Sequence, residues 1–487
     1  MDDSTRFPHL RQDFAASLVV FLVALPLCVG VAVASGVPAE LGLVTGIVGG
    51  IVTGLMRGSS LQVSGPAAGL TVLVFEAVRE YGLPALGVIV LATGALQILM
   101  GALKLGRWFR AISVSVVEGM LAGIGLVLIA GQLYSMADAK APASGLAKIA
   151  GLPAALAEAA ADPGALASVG LGAGTIAVLV LWKRAPKRLR TLPGPLAAVG
   201  LATLVALAFS LPVATVEVRG LLDSVQPPSL TAFGELANIG LLGTIVAFTL
   251  IASAESLFSA AAVDRLHDGA RTQYDKELMA QGTGNAICGV LGALPMTAVI
   301  VRSAANVQAG ARTKASRVLH GVWLLLFAAL LPDVLGYIPI PALAGILVYS
   351  GAKLIPAREI VSLWREHRGE ALILVVTAVS IVAVSMFEGV LIGLALAVAK
   401  TAWEASHIRL EVVDKGAGPV QAYLWGNATF LRLPKILDSL EALPQDRPVE
   451  LDLSGLHHLD HACRTALENW AERHSAAGTE PVRVTAA

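Results

Sequence analysis

The chain has 487 residues, 56% of them hydrophobic and 14% charged, with 49 glycines besides; a soluble domain carries about 25% charged residues. Its formal net charge is zero, which supplies no basic field for nucleic acid, and three scattered cysteines (Cys28, Cys288, Cys463) without a C-x-x-C offer neither a disulfide framework nor a cysteine zinc site. With a mean hydropathy of +0.74, this composition excludes disorder, collagen-like repeats and an ordinary cytosolic enzyme, and predicts a polytopic membrane protein.

Residues 1–12 are polar, with Asp2, Asp3, Arg6 and Arg11. They lack the basic start, apolar core and small-residue cleavage site of a signal peptide, so the first apolar stretch reads as a retained span. Stretches approaching the ~20 residues that a helix needs to cross a bilayer occur at 14–35, 38–56, 83–103, 111–136, 165–182, 194–216, 239–263, 277–294, 316–335, 337–355, 370–387 and 389–405. Two more are short and interrupted, 61–78 by Ser64-Gly65-Pro66 and 295–313 by Pro295, Arg302 and Gly310. That makes about fourteen elements, and an even number places both ends on one side.

Basic residues support this count. With the N-terminus cytoplasmic, the inside loops hold Arg57; Lys104, Arg107 and Arg110; Lys183, Arg184, Lys187, Arg188 and Arg190; Arg265, Arg271 and Lys276; Arg312, Lys314 and Arg317; and Lys353, Arg358, Arg365 and Arg368. The outside loops hold only Arg79, Lys140, Lys148 and Arg219. From 406 the composition turns soluble-like. Strand patterns at Arg409–Val413, Gln421–Trp425 and Pro448–Leu453 alternate with helical ones at Leu433–Leu443 and Thr465–His474, predicting a small cytoplasmic α/β module.

The two interrupted segments stand third in each half. Paired broken segments in matching positions point to a transport site built on inverted repeats. A half-helix that starts inside the membrane leaves its first N–H groups unpaired, and these, with the positive dipole end, attract an anion. Ser64 is expected to cap the first, with Gly65 and Pro66 opening its first turn and the amides of Ala67 and Ala68 free. The second is expected to start near Val301-Arg302-Ser303.

Charges within spans are costly, about 2.5–3.5 kcal/mol at the bilayer centre, and so mark function. Arg302 would favour anions over neutral solutes. Glu255 lies deep in an apolar helix with Ser259 on the same face at i+4; a buried glutamate must pair or take up a proton, so it serves either coupling or as a partner of Arg302. Glu118 reads as interfacial or structural. Asp264, Asp275 and Glu277 with Arg265, Arg271 and Lys276 read as a solvated, ion-paired loop. His457, His458, Asp460, His461 and Cys463 are too crowded for zinc-finger spacing. No G-x-x-x-x-G-K-[ST] supports an ATP-driven pump, and no nucleophile–base constellation supports an enzyme.

Four stretches, Asp13–Gly36 (DFAASLVVFLVALPLCVGVAVASG), Leu61–Val72 (LQVSGPAAGLTV), Asp275–Asn285 (DKELMAQGTGN) and Arg302–Thr313 (RSAANVQAGART), resemble the SulP family of anion transporters, in order and across the membrane region. The resemblance implies an all-α membrane domain of seven-plus-seven inverted repeats, divided into core and gate and usually assembled as a homodimer. It would span 1–405, with repeats at about 13–216 and 239–405. The tail, 406–487, resembles a short STAS domain through Pro448–Asp460 (PVELDLSGLHHLD). In related STAS switch proteins a serine after the matching aspartate is phosphorylated; here His461, Ala462 and Cys463 follow Asp460, which argues against that switch.

Carried over by position, the family's anion site falls on Ala67 and its neighbours and on Val301, Arg302 and Ser303, with Pro26 and Leu27 lining it. Many relatives have glutamine where Leu27 stands and a polar contact where Val301 stands, so the site is less polar than usual. Relatives with aspartate and a following threonine at the Glu255 position can bind sodium, whereas Glu255 with Ser259 looks more like the proton-linked members. The N-terminal half most resembles bacterial members linked to carbonic anhydrase. The expectation is a secondary active carrier of small inorganic anions in the plasma (inner) membrane, both termini cytoplasmic, with bicarbonate first and sulfate or dicarboxylate second. It needs no cofactor beyond a coupling ion, H⁺ ahead of Na⁺, and the tail offers a surface to a cytoplasmic partner. A passive anion channel and an anion sensor are the rivals of another class.

Overall fold

A computed structural model describes residues 9–107, 113–142, 144–186, 192–217, 220–229, 233–234, 238–416, 418–477 and 481–485. Asp2, Asp3, Arg6, Arg110, Lys187, Arg188, Arg190 and Arg219 lie outside the described residues. The chain separates into two compact units, Met1–Gly393 and Leu394–Ala487.

The first half of the larger unit runs α1 (Leu10–Ala34), α2 (Ala39–Val48, continued by a π turn over Gly49–Thr53), β1 (Ser64–Pro66), α3 (Thr71–Tyr81), α4 (Leu83–Ala102), α5 (Val114–Met136), α6 (Gly145–Ala161), α7 (Pro163–Leu181) and α8 (Gly194–Ala208). The second runs α9 (Ile239–Val263), α10 (Tyr274–Val290), β2 (Met296–Ala298), α11 (Ile300–Gln308), α12 (Ala315–Leu330), α13 (Ile340–Leu354), α14 (Ala357–Glu366), α15 (Arg368–Ala383) and α16 (Met386–Ala405), whose residues from Leu394 on belong to the smaller unit. Every expected apolar stretch carries a helix. Among the described residues, α1, α4, α5, α7, α9 and the stretch Ile340–Glu366 are long and apolar enough to cross a membrane. The α2 stretch, α8 and α12 are shorter apolar helices.

Among the described residues, two helices longer than a single turn fall between the expected spans, besides the short Leu221–Ser224. α6 is rich in alanine, and the Ser144 hydroxyl caps it by accepting from the Ala147 amide; Lys148 and Glu158 keep it from reading as a span. α14 is amphipathic and has no buried residue, so a hydropathy reading passes over it.

The membrane region is also not wholly helical. β1 and β2 pair antiparallel, Ser64 with Ala298, Gly65 with Thr297 and Pro66 with Met296, and the Val299 amide donates to the Val63 carbonyl at 2.9 Å. Backbone inside a bilayer must be satisfied by protein; two interrupted segments meet that demand by pairing with each other.

Polar side chains of the recognisable stretches hold this pair in place. Asn285 of α10 clamps Met296: its Oδ1 accepts from the Met296 amide at 2.7 Å and its Nδ2 donates to the Met296 carbonyl at 3.1 Å. Gln281 Nε2 donates to Ser64 Oγ and to Glu277 Oε1, each at 2.7 Å, and Glu277 Oε2 accepts from the Ser59 amide at 2.7 Å. Glu277 is therefore a buried strut and not part of a solvated loop. Asp264 is buried too, accepting from the amide and hydroxyl of Thr272, because the chain after α9 folds back over it. Asp13, in the first turn of α1, accepts from the amides of Arg312 (2.7 Å) and Thr313 (3.1 Å) beyond α11. α10 reaches α4 across a seam of glycines: a Cβ on Gly94 would lie 2.3 Å from the Ala286 nitrogen and 2.6 Å from the Gly282 carbonyl oxygen. Small residues permit this close approach of helices where lipid offers no hydrophobic drive.

The smaller unit contains β3 (Ile408–Val413), β4 (Val420–Ala428), α17 (Leu433–Glu441), β5 (Val449–Leu459), α18 (His461–Ala477) and β6 (Arg483–Thr485). Its sheet is ordered β3-β4-β5-β6, antiparallel at the first pairing and parallel at the other two. Alternate residues of β4 and β5 (Val420, Ala422, Leu424; Val449, Leu451, Leu453) face one way and form a core with Ile436, Leu440, Leu467 and Trp470. Asp460 accepts from the amides of Phe430 (2.6 Å) and Cys463 (2.7 Å), capping α18.

Candidate functional site

Each buried strand hands the chain to a helix. After β1, Ala67 is extended (φ −110°, ψ 137°), a 3₁₀ turn covers Ala68–Leu70, and α3 follows. After β2, Val299 caps α11, whose first helical bond is Ser303 N to Val299 O at 3.0 Å. Amides ahead of that first bond have no acceptor within the helix. These are Ala68 and Gly69 on one side and Ile300, Val301 and Arg302 on the other.

This corrects the expected first start. Ser64 is no cap: it belongs to β1, and its hydroxyl accepts from Gln281. Residues 64–66 pair with β2 and the first bond of the turn runs from the Leu70 amide to the Ala67 carbonyl at 3.2 Å, so the amides ahead of it are those of Ala68 and Gly69. The second helix starts at Ile300, just before the expected Val301.

Arg302 is 1% exposed. Its Nη2 donates to the Pro66 carbonyl at 3.2 Å and the Cys28 thiol lies beside the guanidinium, while Nε and Nη1 make no hydrogen bond. The guanidinium lies so close over β1 that a Cβ on Gly65 would be 2.2 Å from Nη1. Glu255 of α9 does not reach it, and among the described residues no carboxylate forms a salt bridge with Arg302. Instead the Glu255 carboxyl oxygens press on Gly69 at the head of α3, 2.8 and 3.0 Å from where a Cβ would stand, and one of them has no partner. Glu255 is thus no direct ion-pair partner of Arg302 in this structure.

A cavity of about 100 Å³ joins these groups. Of the expected site residues, Leu27, Ala68, Glu255, Ser259, Val301 and Arg302 line it. Pro26, Ser64, Gly65, Ala67 and Ser303 do not. Pro26 is buried within α1, and Ala67 is buried behind the head of α3. Gly65 makes room for Arg302, and Ser303 Oγ accepts from the Val63 amide at 2.9 Å, tying α11 to the residue before β1. Gly69 and the far wall, including Met120 of α5 with Ser350 and Leu354 of α13, were not expected. Gly69 could have been read from its place in SGPAAG; the wall gives no local signal, because its residues are ordinary for apolar helices.

Two halves that each lead a buried strand into a helix, inside a bundle of membrane-crossing helices, define a multi-pass membrane protein of the solute-carrier type. The sequence profile of the sulfate permease family matches residues 10–377, and the chain belongs to that family. It is accordingly an anion transporter and not an enzyme. YvdB of Bacillus subtilis, provisionally named a sulfate transporter, is 28% identical over 486 residues, covering 95% of this chain and 89% of its own length. The bicarbonate transporter BicA of Synechocystis sp. is 25% identical over 505 residues, covering 96% of this chain and 86% of its own. Among solved structures, the murine Slc26a9 anion transporter in its inward-facing state matches with a TM-score of 0.81 over 99% of this chain and 85% of its own, at 15% identity, which is a likeness of fold.

Proposed function

We propose that the protein is a secondary active carrier of small inorganic anions, bicarbonate ahead of sulfate, which binds its anion at Arg302 and the two helix starts. The observation that supports this reading best is the Arg302 guanidinium, buried, with two nitrogens unpartnered in a cavity that also receives the heads of α3 and α11. A buried unpaired charge is unfavourable by several kcal/mol, and one bound anion would answer it. Leu27, Val301 and Met120 supply apolar wall, so a second negative charge would be desolvated without a partner of its own. That favours singly charged bicarbonate over sulfate.

The cavity is lined by α1, the turn ahead of α3, α9 and α11, and by α5 and α13; we group the first four as one moving set. Movement of the first set against the second would carry the anion in an elevator-like exchange of access. Glu255, with Ser259 beside it in the same cavity, takes the coupling proton in this reading, its unpartnered oxygen being the site of attachment. The functional unit is a homodimer in the plasma (inner) membrane with both termini cytoplasmic, and the C-terminal STAS-like unit presents its sheet and helices to a cytoplasmic partner.

The test is flux in liposomes holding the purified protein. Labelled bicarbonate is followed at a pH that keeps CO₂ low, and labelled sulfate under an inward proton gradient with and without excess bicarbonate. Saturable bicarbonate flux that Arg302→Ala abolishes, and competition by bicarbonate against sulfate, are the expected results. Currents far above carrier turnover, without uphill accumulation of either anion, would sink the carrier reading in favour of a channel.

A further inference from the structure

A second cavity, about 370 Å³ in volume, lies further along the same helices. On α1 its wall advances from Leu27 and Val31 to Val33 and Ala34; on α3 from the Gly69 head to Thr71 and Phe75; on α5 from Met120 to Gln132 and Ser135. At about 1.5 Å per residue the step along α5 from Leu121 to Val127 is roughly 9 Å. Lys140, before α6, and Lys148, within it, complete the lining.

These two lysines are half of the few basic residues that the charge pattern assigns to the outer loops, and the fold brings them to one place. Lys148 is only 6% exposed, with its ammonium 5.6 Å from the centre of the Phe75 ring. Among the described residues no carboxylate forms a salt bridge with it. The acidic neighbour on α3, Glu76, is close enough to act on the Lys148 charge without forming an ion pair with it, and lines a separate small cavity with Ser385 and Met386. Gln132, 7% exposed, adds a buried amide to the wall.

We propose that this cavity is a staging site, where Lys148 and Lys140 collect the transported anion with its water before it is stripped at Arg302. The proposal rests on the reading of Arg302 as the anion's ligand. Two contrasts give it its content. The outer cavity is more than three times the volume of the inner one, enough for an anion with part of its hydration shell. Lysine's ammonium is a compact, strongly hydrated charge suited to an anion that keeps its water, whereas arginine's weakly hydrated planar fork suits one that has lost it. A cationic cleft with low-dielectric walls raises the local anion concentration and the on-rate by about 10- to 1,000-fold, an effect that salt screens.

The experiment measures initial rates of labelled bicarbonate uptake, from the outer face, by the full chain in oriented proteoliposomes at low and high ionic strength. Wild type, Lys148→Gln, Lys148→Arg and the exposed-site variant Lys140→Gln are compared. Expected for Lys148→Gln is a KM raised about 10-fold with Vmax held within about twofold, and a weakened salt dependence of Vmax/KM. Lys148→Arg, which keeps the charge but not the hydrated ammonium, should keep the salt dependence and raise KM by less than Lys148→Gln does, and Lys140→Gln should shift KM the same way by a smaller factor. If Lys148→Gln misfolds, the Lys140→Gln shift and its salt dependence decide. Unchanged KM in the glutamine variants, or loss of Vmax in Lys148→Arg as well, would overturn the staging site. Failure of the underlying reading looks different: bicarbonate flux would then be indifferent to Arg302→Ala.

Discussion

A methyl group at residue 65 points straight at the guanidinium of Arg302. Its carbon would stand 2.2 Å from Nη1 and 3.4 Å from Cζ, with the Cα of Gly46 the next neighbour at 3.7 Å. Ordinary contact begins near 3.5 Å, so in Gly65→Ala the fork must retreat by roughly 1 Å. The displaced atom is the end of a flexible side chain, so the fold should survive at a cost within about 1–3 kcal/mol. The anion is not so tolerant: a ligand misplaced by about 1 Å can cost on the order of 100-fold. Gly65→Ala should therefore yield monodisperse protein with near-normal thermal unfolding and a KM for bicarbonate raised about 10- to 100-fold. Uptake kinetics in proteoliposomes read the second quantity and differential scanning fluorimetry the first. Well-folded Gly65→Ala with wild-type KM and turnover would refute the placement of the anion at Nη1.

Three further changes test other parts of the structure. Glu255→Gln replaces one of the two carboxyl oxygens beside Gly69 with an amide nitrogen and leaves a group that no longer titrates; sulfate uptake driven by a proton gradient should vanish while anion exchange persists, and undiminished pH-driven accumulation would rule out Glu255 as the coupling group. Gly94→Ala sets a carbon 2.3 Å from the backbone nitrogen of Ala286, where neither helix can yield; the expected cost is about 3 kcal/mol, seen as a lower unfolding temperature, and an unchanged one would contradict the α4–α10 seam. Asp460→Ala should cost about 1 kcal/mol through loss of the α18 cap and deprotect the amides of Phe430 and Cys463 in hydrogen exchange; retained protection would deny it that role. Asp460 also makes the smaller unit acid-sensitive. Burial works against its charged form, but the amides of Cys463 and Phe430 outweigh that and hold its carboxyl below the usual range. A native value below the unfolded one means this stabilisation is complete above about pH 4 and lost as pH falls through the native value.

Much of the membrane fold was legible along the chain. The fourteen stretches, the two breaks and the strand–helix alternation of the tail all follow from local composition, because insertion into a bilayer and the period of a strand or helix are decided over windows of ten to twenty residues. The sequence also singled out Arg302, Glu255 and the SGP break, since a charge or a Gly-Pro interruption at membrane depth needs a reason. It misread the roles of Ser64 and Glu277, whose partners, Gln281 and the Ser59 amide, lie 217 and 218 residues away.

What local pattern leaves open is which groups meet. Only the tertiary structure pairs β1 with β2, and only it shows the helical turn beginning after Ala67, with the amides of Ala68 and Gly69 at its head. Only it sets Glu255 against Gly69 and leaves Arg302 without an acidic partner, and only it brings Lys140 and Lys148 to the cavity outside Phe75. The cost of burying a charge can be assigned from one residue, but its compensation depends on atoms within a few ångströms that come from the other half of the chain. The amino-acid sequence thus fixed where the membrane helices break and which charges they bury, while long-range packing decided what those breaks and charges face.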